Sequence, residues 1–189
     1  MTNIYMMVGI PASGKSTLAK KLTEVSKGVI AHVSRDEVRR KLTGSGKVVM
    51  EKEQEVLQQF CLEIITKMSE GYDIIFADAT HATPRSRYSF YKNIHSIAKT
   101  LDIPADSFKI IPLIIETPYE ICYERNSKRN PAIAAPDEDM KTFYKNCLYP
   151  SKTEIGFDKV FPNRLFYDPS TKKFTGVNFE EKIGQKPLI

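Results

Sequence analysis

Long hydrophobic runs are missing from this sequence of 189 residues. No stretch approaches the roughly 20 apolar residues that a membrane-spanning helix needs, so we expect no membrane association. Cysteine is scarce as well, because the sequence has just Cys61, Cys122 and Cys147 and no two of them form a C-x-x-C pair. An odd number of cysteines without paired spacing argues against a disulfide framework. Reduced thiols are typical of cytoplasmic proteins, so we expect that location.

Several functional signatures are also absent. The three histidines, His32, His81 and His95, do not have the spacing of metal ligands, and we interpret them as structural or exposed. The sequence contains no nucleophile–base triad and no G-x-G-x-x-G dinucleotide fingerprint. Its first apolar run leads directly into a glycine-rich motif, so we expect no signal peptide. The formal net charge of +5 permits a polyanionic partner but does not establish one.

Strand and helix patterns alternate along the chain, which predicts an α/β fold with a central parallel sheet. Short apolar runs predict the strands, and amphipathic stretches predict the helices. The predicted strands span residues 4–8, 29–33, 73–77, 108–116 and 157–161. The predicted helices span residues 16–27, 35–42, 50–70, 84–101, 118–128 and 137–148. A chain of this length is expected to form one domain with a full core.

Two of the helices begin with the same pair of residues. Thr83-Pro84 and Thr117-Pro118 each place a threonine at the N-cap and a proline at the first helical position.

The helix over residues 50–70 carries an apolar stripe at helical spacing, which we interpret as part of the core. The stripe consists of Val56, Leu57, Phe60, Cys61, Ile64, Ile65 and Met68.

The C-terminal third of the chain contains a predicted lid. Residues 131–136 read PAIAAP, and their two prolines and small side chains are typical of a hinge-like loop. We predict a helical lid over about residues 125–148, within a domain that covers residues 1–161. The pattern weakens beyond it, and residues 162–189 are predicted to form a C-terminal extension. Within the extension, a short hairpin packed on the same domain is predicted from residues 164–167 and 173–175.

The N-terminal glycine-rich motif is the strongest functional signal. Residues 9–17 read GIPASGKST and match the phosphate-binding loop pattern G-x-x-x-x-G-K-[S/T], between a predicted strand and a predicted helix. Gly9 and Gly14 allow the backbone to curl so that N–H groups and the helix dipole face phosphate oxygens. Lys15 is predicted to reach the β- and γ-phosphates, and the Ser16 hydroxyl to bind Mg²⁺. The predicted contacts to a nucleoside triphosphate are Gly9, Pro11, Ala12, Ser13, Gly14, Lys15, Ser16 and Thr17.

Acidic residues follow the next two predicted strands, at the sheet edge where parallel folds bind ligands. Asp36 lies in a helix start where Ser34 and Glu37 have capping-box spacing. We predict that Asp36 orients an acceptor hydroxyl and accepts its proton, although an acid at a helix N-terminus also stabilises the helix dipole. Asp78 has three interpretations. In the first it holds Mg²⁺ through water, in the second it contacts the acceptor, and in the third it caps the following turn.

Arginines near the proline-bounded loop form a basic group. Arg125 and Arg129 are four residues apart, so they are predicted to lie on one helix face. Phosphoryl transfer spreads negative charge over the γ-phosphate oxygens, and arginines on a lid can close over this charge and exclude water. The alternative is a solvated basic helix end that complements its own dipole.

A second basic group surrounds Asp36 and consists of Arg35, Arg39 and Arg40. Arg39 follows Asp36 by three residues, so both side chains can face the same cleft. Residues 84–88, with the sequence PRSRY, are expected to add positive charge nearby. A basic group beside the base suits an acceptor that carries its own phosphate. The alternative is ordinary surface solvation.

Four segments together resemble a known family. In order and spacing, GIPASGKST, HVSRDEVRRKL, IIFADATHATPRSR and YERNSKRN resemble the kinase domain of phage-type polynucleotide kinases, and also the wider group of small P-loop kinases. The resemblance covers residues 3–161. It implies a P-loop NTPase-type three-layer fold with a helical lid, and a 5′-hydroxyl kinase that uses ATP and Mg²⁺ on DNA or RNA ends.

The resemblance also implies roles for individual residues. Lys15 and Ser16 match the family's phosphate and Mg²⁺ residues, and Asp36 matches its general base. Arg39 matches an arginine that binds the acceptor's phosphate, and Arg129 matches the lid arginine on the transferring phosphate. Asp78-Ala79-Thr80 resembles the family's acidic segment, although its spacing to Pro84 fits the wider kinase group better. The implied acceptor contacts are Arg35, Asp36, Arg39, Asp78 and Thr80, and the implied lid contacts to the nucleotide are Arg125 and Arg129.

The phage enzyme also has a phosphatase domain with a D-x-D-x-T motif, which this sequence lacks. We therefore expect no 3′-phosphatase activity. Three functions remain open. The first is a nucleic-acid 5′-hydroxyl kinase, and the second is a kinase of the same fold that acts on a hydroxymethylated DNA base, a nucleoside or a small metabolite. The third is a nucleotide-binding switch or nucleic-acid-binding module without catalysis, which would not need Asp36 as a base.

Overall fold

The computed structural model describes residues 1–26, 29–151, 154 and 163–177. Its strands are β1 (Thr2–Val8), β2 (Ile30–Ser34), β3 (Ile74–Asp78), β4 (Phe108–Glu116), β5 (Asn163–Asp168) and β6 (Lys173–Val177). Its helices are α1 (Lys15–Val25), α2 (Arg35–Thr43), α3 (Glu53–Ser69), α4 (Pro84–Thr100), α5 (Tyr119–Ser127) and α6 (Asp137–Asn146), and a 3₁₀ helix, Met50–Lys52, precedes α3. The strand predicted over residues 157–161 lies outside the described residues.

The strands form one six-stranded sheet in the order β2-β3-β1-β4-β5-β6. The strand pairs from β2 to β5 are parallel, and β6 pairs antiparallel with β5 as the second arm of a hairpin. Neighbouring parallel strands need crossover connections, which the helices provide. The predicted α/β fold with a central parallel sheet is confirmed, and β6 makes the sheet mostly rather than wholly parallel.

Helices cover both faces of the sheet, which gives three layers. Alternate side chains of β1 enter two different cores, because successive residues of a strand point to opposite faces. Ile4 and Met6 pack in the cluster that contains the buried residues of α3 and α4, whereas Tyr5 and Met7 pack with those of α1. The predicted stripe on α3 is confirmed as core, with Met68 at its partly buried end.

Helix starts follow the capping prediction at α2 and α4 but not at α5. The Ser34 hydroxyl accepts a bond from the Glu37 amide at 3.4 Å, and Thr83 caps α4 ahead of Pro84. At α5, Pro118 itself occupies the N-cap in an extended conformation, which leaves Thr117 one residue too early to cap the helix. The prediction for Thr117 as a cap is therefore wrong.

The carboxyl ends of β1 to β4 meet at one edge of the sheet, where parallel folds bind their ligands. The glycine-rich loop leaves β1 there, α2 begins directly after β2, and residues 79–83 follow β3. In the part of the chain that the structure describes, no helix combines the length and the apolar character needed to cross a membrane.

Candidate active site

A cavity of about 590 Å³ opens at this edge of the sheet. Its lining comes from the glycine-rich loop and the start of α1, from the start of α2, from residues 46–48 and 78–80, and from residues 131–136 with part of α6. The predicted site residues that line it are Pro11, Ala12, Lys15, Ser16, Asp36, Arg39, Asp78, Thr80 and Arg129. The structure therefore brings together residues from four separate segments of the sequence.

Glycine is required at both ends of the loop. A Cβ at Gly9 would lie 2.7 Å from the Ile115 carbonyl oxygen, which is too close for any side chain. Gly14 has a φ of 102°, a backbone conformation that residues with a side chain rarely adopt. These constraints explain the two fixed glycines of the motif by backbone geometry alone.

Neighbouring segments hold the loop in place. The Thr117 hydroxyl donates to the Ser13 carbonyl oxygen at 2.8 Å, which is the contact that replaces its predicted capping role. The Gly9 amide donates to the Thr80 carbonyl oxygen at 3.0 Å. Sequence reasoning missed Thr117 because its partner is 104 residues away. The loop is thus tied to the segments that follow β3 and β4, as well as to β1 and α1.

Lys15 is buried inside the loop. Its ammonium group donates to the carbonyl oxygens of Gly9 and Ile10, each at 2.8 Å, and to the Ser13 hydroxyl at 3.3 Å. Burial lowers the pKa of Lys15, while nearby carboxylates, chiefly Asp78, act in the opposite direction. The group is a positive charge held at the loop centre, where phosphate oxygens bind in this motif.

Asp78 is a buried carboxylate with side-chain partners on two elements. His32 Nε2 lies 3.0 Å from Asp78 Oδ2, and the Ser16 hydroxyl also bonds to the carboxylate. Burial raises the pKa of Asp78, but the bonds from His32 and Ser16 and the charge of Lys15 hold it below its usual value. An ionised carboxylate beside a hydroxyl is the oxygen donor set that Mg²⁺ prefers, so Ser16 and Asp78 fit this metal.

Asp36 is exposed to the cavity, with 76% of its side chain accessible, whereas the neighbouring Arg39 side chain is 8% accessible. Arg39 Nη1 donates to Asp36 Oδ1 at 2.5 Å. The rest of the guanidinium faces Glu53, with Nε 2.7 Å from Oε1 and Nη2 3.2 Å from Oε2. Arg39 therefore fixes the position of the Asp36 carboxylate, and Glu53 fixes the position of the Arg39 guanidinium.

Glu53 was not identified from the sequence. It is the first residue of α3, and its pairing depends on how α2 packs against α3, which the sequence pattern does not reveal. Glu53 also accepts a bond from Arg35 Nη2 at 2.9 Å. Arg35 does not line the cavity, so its predicted acceptor contact stays a prediction.

Neither Arg85 nor Arg87 lines the cavity, so the expected contribution of positive charge from residues 84–88 is wrong. Arg87 instead has a structural role. Its side chain is fully buried and donates to both carboxylate oxygens of Glu154, each at 2.7 Å. It also donates to the carbonyl oxygens of His81 at 2.9 Å and Leu148 at 2.7 Å. Glu154 neutralises its charge, and Arg87 fastens α4 to the chain that follows α6.

Arg125 and Arg129 do not share a helix face, because α5 ends at Ser127. Arg129 follows the helix end and lines the cavity. Arg125 lies beside the hairpin, with its guanidinium carbon 4.1 Å from the centre of the Tyr167 ring. The prediction of a common face is wrong: Arg129 lines the cavity, whereas Arg125 lies between the hairpin and Gly14 of the glycine-rich loop.

The lid and α5 pack against the glycine-rich loop. Met140 of α6 and Cys122 of α5 form a buried cluster with Ile10 and Ala12 of the glycine-rich loop. The Asn126 side chain donates to the Ala135 carbonyl oxygen at 2.7 Å and accepts from the Ala135 amide at 3.0 Å. The proline-bounded loop is thus fixed at its far end to α5.

His81 predicts a pH dependence of stability. It is buried between Phe60 and Phe90, its Nδ1 donates to the Met7 carbonyl oxygen at 2.9 Å, and burial lowers its pKa to about 3. Below pH 6.5 His81 becomes protonated in the unfolded chain, whereas it stays neutral in the folded chain. We therefore expect His81 to lower the free energy of unfolding by about 1.4 kcal/mol per pH unit as pH drops from about 6 to 4, in addition to the contributions of other groups.

Urea unfolding at several pH values measures this slope. His81→Asn is the matched variant, because an asparagine amide can donate where Nδ1 does, tolerates the φ of 42° at this position, and does not titrate in this range. The variant is expected to show a clearly shallower slope whatever its absolute stability. An equal slope in both proteins would assign the pH dependence to other groups.

A comparison with protein-family models matches residues 4–147 to the AAA domain. The chain belongs to the AAA domain family. We found no match among curated proteins. The family match covers the glycine-rich loop, both candidate acids and the lid of this AAA domain.

Solved structures share the fold of this AAA domain. A fungal RNA kinase is similar with a TM-score of 0.62 at 15% identity, over 88% of this chain and 74% of that chain. A chain of the Pnkp1/Rnl/Hen1 RNA repair complex has a TM-score of 0.58 at 20% identity, over 77% of this chain and 44% of that chain. A sugar kinase from Janibacter has a TM-score of 0.55 at 15% identity, over 82% of each. At such identities the likeness shows a shared fold alone, which is the fold of the RNA kinase and the sugar kinase.

Proposed function

We propose that this chain transfers the γ-phosphate of ATP to the 5′-hydroxyl end of DNA or RNA. The observation that carries the proposal is the exposed Asp36 carboxylate, which shares one cavity with Lys15 and Ser16 of the phosphate-binding loop. A module that merely binds nucleotide or nucleic acid has no need for a carboxylate held beside its phosphate site.

On the nucleotide side, the loop amides, the N-terminus of α1 and Lys15 would bind the phosphates. Ser16 and Asp78 would hold Mg²⁺, which neutralises negative charge on the phosphates when bound. We assign Asp78 to the metal rather than to the acceptor, because it is buried and bonded to Ser16. Arg129, at the lid edge of the cavity, is proposed to stabilise charge on the transferring phosphate.

On the acceptor side, Asp36 would orient the hydroxyl and accept its proton as the oxygen–phosphorus bond forms. The bond from Arg39 restricts the Asp36 carboxylate to one orientation, which favours productive alignment. Arg39 retains N–H groups beyond the three that bind Asp36 and Glu53, so a phosphate on the acceptor remains a proposed ligand for it.

Three features support nucleic acid as the acceptor. The segments around residues 9–17, 32–42, 74–87 and 123–130 resemble phage-type polynucleotide kinases. The fold is similar to that of an RNA kinase and of a chain in an RNA repair complex. The net charge of +5 suits a polyanionic substrate. Thr80 lines the same cavity as Asp36 and is proposed to contact the acceptor.

A second candidate is a kinase that phosphorylates a smaller hydroxyl compound, such as a nucleoside, or a hydroxymethylated base in DNA. The cavity wall formed by residues 131–136 is mostly apolar, and Val48 and Phe143 extend it. Such a wall can enclose a small acceptor. The similarity of the fold to that of a sugar kinase is compatible with this second candidate.

Transfer of labelled γ-phosphate from ATP tests the proposal. The acceptors are a 5′-hydroxyl oligonucleotide and the same oligonucleotide with a 5′-phosphate. We expect label on the first alone. No label on either, with ATP still bound, would favour a small acceptor. Label on both would place the phosphate on an internal base or sugar and would favour the modified-base kinase.

Glu53→Gln is expected to lower the transfer rate about tenfold while ATP affinity stays unchanged. The neutral amide offers one oxygen to Arg39 in place of two charged ones, and a hydrogen bond to a charged group contributes about 1.5–3 kcal/mol. Steady-state kinetics and ATP titration measure the two effects. Glu51→Gln is the control, since Glu51 is an exposed acid in the adjoining 3₁₀ helix. A normal rate in Glu53→Gln would show that Arg39 keeps its position without this carboxylate.

A further inference from the structure

His32 occupies an unusual position for a polar side chain. It lies in the middle of β2, paired in register with Phe76 of β3, on the sheet face that α1 covers. Ile30 and Phe76 on this face belong to the apolar core, and the His32 side chain is 8% accessible. A buried imidazole in such surroundings needs a hydrogen-bond partner to offset its lost hydration.

The partner is Asp78, two residues beyond Phe76 on β3. Diagonal positions on neighbouring strands are within reach of a long side chain, and His32 Nε2 lies 3.0 Å from Asp78 Oδ2. Since an ionised carboxylate can only accept, Nε2 carries the proton and donates it. His32 therefore connects the core of the sheet to the carboxylate that also bonds to Ser16.

We infer that His32 is a positioning residue for magnesium, because it fixes the Asp78 carboxylate in the orientation in which Asp78 faces the Ser16 hydroxyl. The inference rests on the magnesium role proposed above for Ser16 and Asp78. A carboxylate attached by a rotatable bond loses entropy when it binds a metal, and a prior hydrogen bond removes part of that cost. His32 thus acts on the metal through Asp78 and does not touch the nucleotide.

The other two histidines have different partners. His81 donates to a backbone carbonyl oxygen, and His95 on α4 packs against the rings of Tyr91 and Phe108. These contacts serve the core, whereas the contact of His32 is with a side chain that lines the candidate site. His32 can reach Asp78 because it is paired with Phe76, two residues before Asp78 on β3.

The test measures binding of ADP by calorimetry, with EDTA and with increasing Mg²⁺. For the wild-type chain, we expect tighter ADP binding with Mg²⁺ than with EDTA. For His32→Leu, which fills a similar volume without a donor, we expect the half-saturating Mg²⁺ concentration to rise about 10-fold or more. ADP affinity in EDTA is expected to match that of wild type.

Two controls separate positioning from folding. His32→Gln places an amide nitrogen near the position of Nε2 and is expected to restore most of the Mg²⁺ response. Ile30→Val removes a methylene from the same strand and core face, and is expected to leave the Mg²⁺ response unchanged. If His32→Leu does not fold, His32→Asn replaces it, because its amide is too short to reach Asp78.

A double variant tests whether His32 and Asp78 act on Mg²⁺ as one unit. In an Asp78→Asn background, His32→Leu is expected to cause no further change in the Mg²⁺ response, because the two residues act as one unit. An additional loss there would overturn the inference. An unchanged Mg²⁺ response in His32→Leu, with a normal response in wild type, would overturn it while leaving the proposed function intact. A wild-type chain indifferent to Mg²⁺ would overturn the magnesium role itself.

Discussion

Asp36→Asn is expected to lower the rate of phosphoryl transfer by about 10²–10⁴-fold and to leave ATP affinity close to that of wild type. The amide keeps an oxygen that can accept the Arg39 bond, so the local structure is retained, but it cannot take up the proton of the acceptor hydroxyl. Asp36 is exposed and Lys15 makes its hydrogen bonds within the glycine-rich loop, so nucleotide binding does not depend on this carboxylate.

Single-turnover transfer to the 5′-hydroxyl oligonucleotide, together with ATP titration, measures both quantities. Glu37→Gln is the matched control, because Glu37 is the next acid on α2 and pairs with Lys20 3.5 Å away. Asp139→Asn tests a further aspartate that lines the cavity, on α6. A full rate in Asp36→Asn combined with a large loss in Asp139→Asn would move the base to the lid.

Arg87→Met is expected to destabilise the chain by about 3–5 kcal/mol, which is a large part of the stability of an ordinary domain. The substitution leaves the Glu154 carboxylate without its cation and two carbonyl oxygens, those of His81 and Leu148, without their donor. A partly buried charge without a partner is strongly unfavourable, so the loss exceeds that of the removed bonds.

Urea unfolding at pH 7 measures the loss. Arg85→Met, two residues earlier on the same helix, is the control, because Arg85 is exposed and a surface substitution is expected to change stability by about 0.5 kcal/mol or less. Arg87→Met with Glu154→Gln is expected to recover part of the loss, since no charge is then left unpaired. A loss near 1 kcal/mol for Arg87→Met alone would mean that Glu154 is hydrated when its partner is removed.

The sequence was sufficient for several features that depend on neighbouring residues, although the Thr117-Pro118 pair shows that a local pattern can also fail. The phosphate-binding loop depends on backbone freedom at Gly9 and Gly14, which the residue types state directly. The periodicity of apolar residues identified the core face of α3, and the threonine–proline pair identified the start of α4. The rule that ligands bind at the carboxyl ends of parallel strands predicted that the glycine-rich loop, Asp36 and Asp78 lie at one edge of the sheet, where they line one cavity. The order of the strands was not predicted.

Contacts between distant segments were not predictable in the same way. Charged residues on a helix are usually solvated, so nothing in the sequence indicated that Arg87 is buried against Glu154, 67 residues away. Glu53 and His32 were missed for the same reason, because their roles arise from the packing of neighbouring elements. The lid arginines were assigned to one face from their four-residue spacing alone, whereas α5 ends at Ser127 and Arg129 lies beyond it.

The double hydrogen bond between Asn126 and Ala135 has a mechanical consequence for the cavity. It ties the far end of the proline-bounded loop to α5, and Met140 and Cys122 attach both lid helices to the loop residues Ile10 and Ala12. Opening the lid as a whole would therefore break the two Asn126–Ala135 hydrogen bonds and the packing of Met140 and Cys122 against the glycine-rich loop. The stretch between Arg129 and Ala134 is the part of the cavity wall that can shift toward a substrate without breaking either contact.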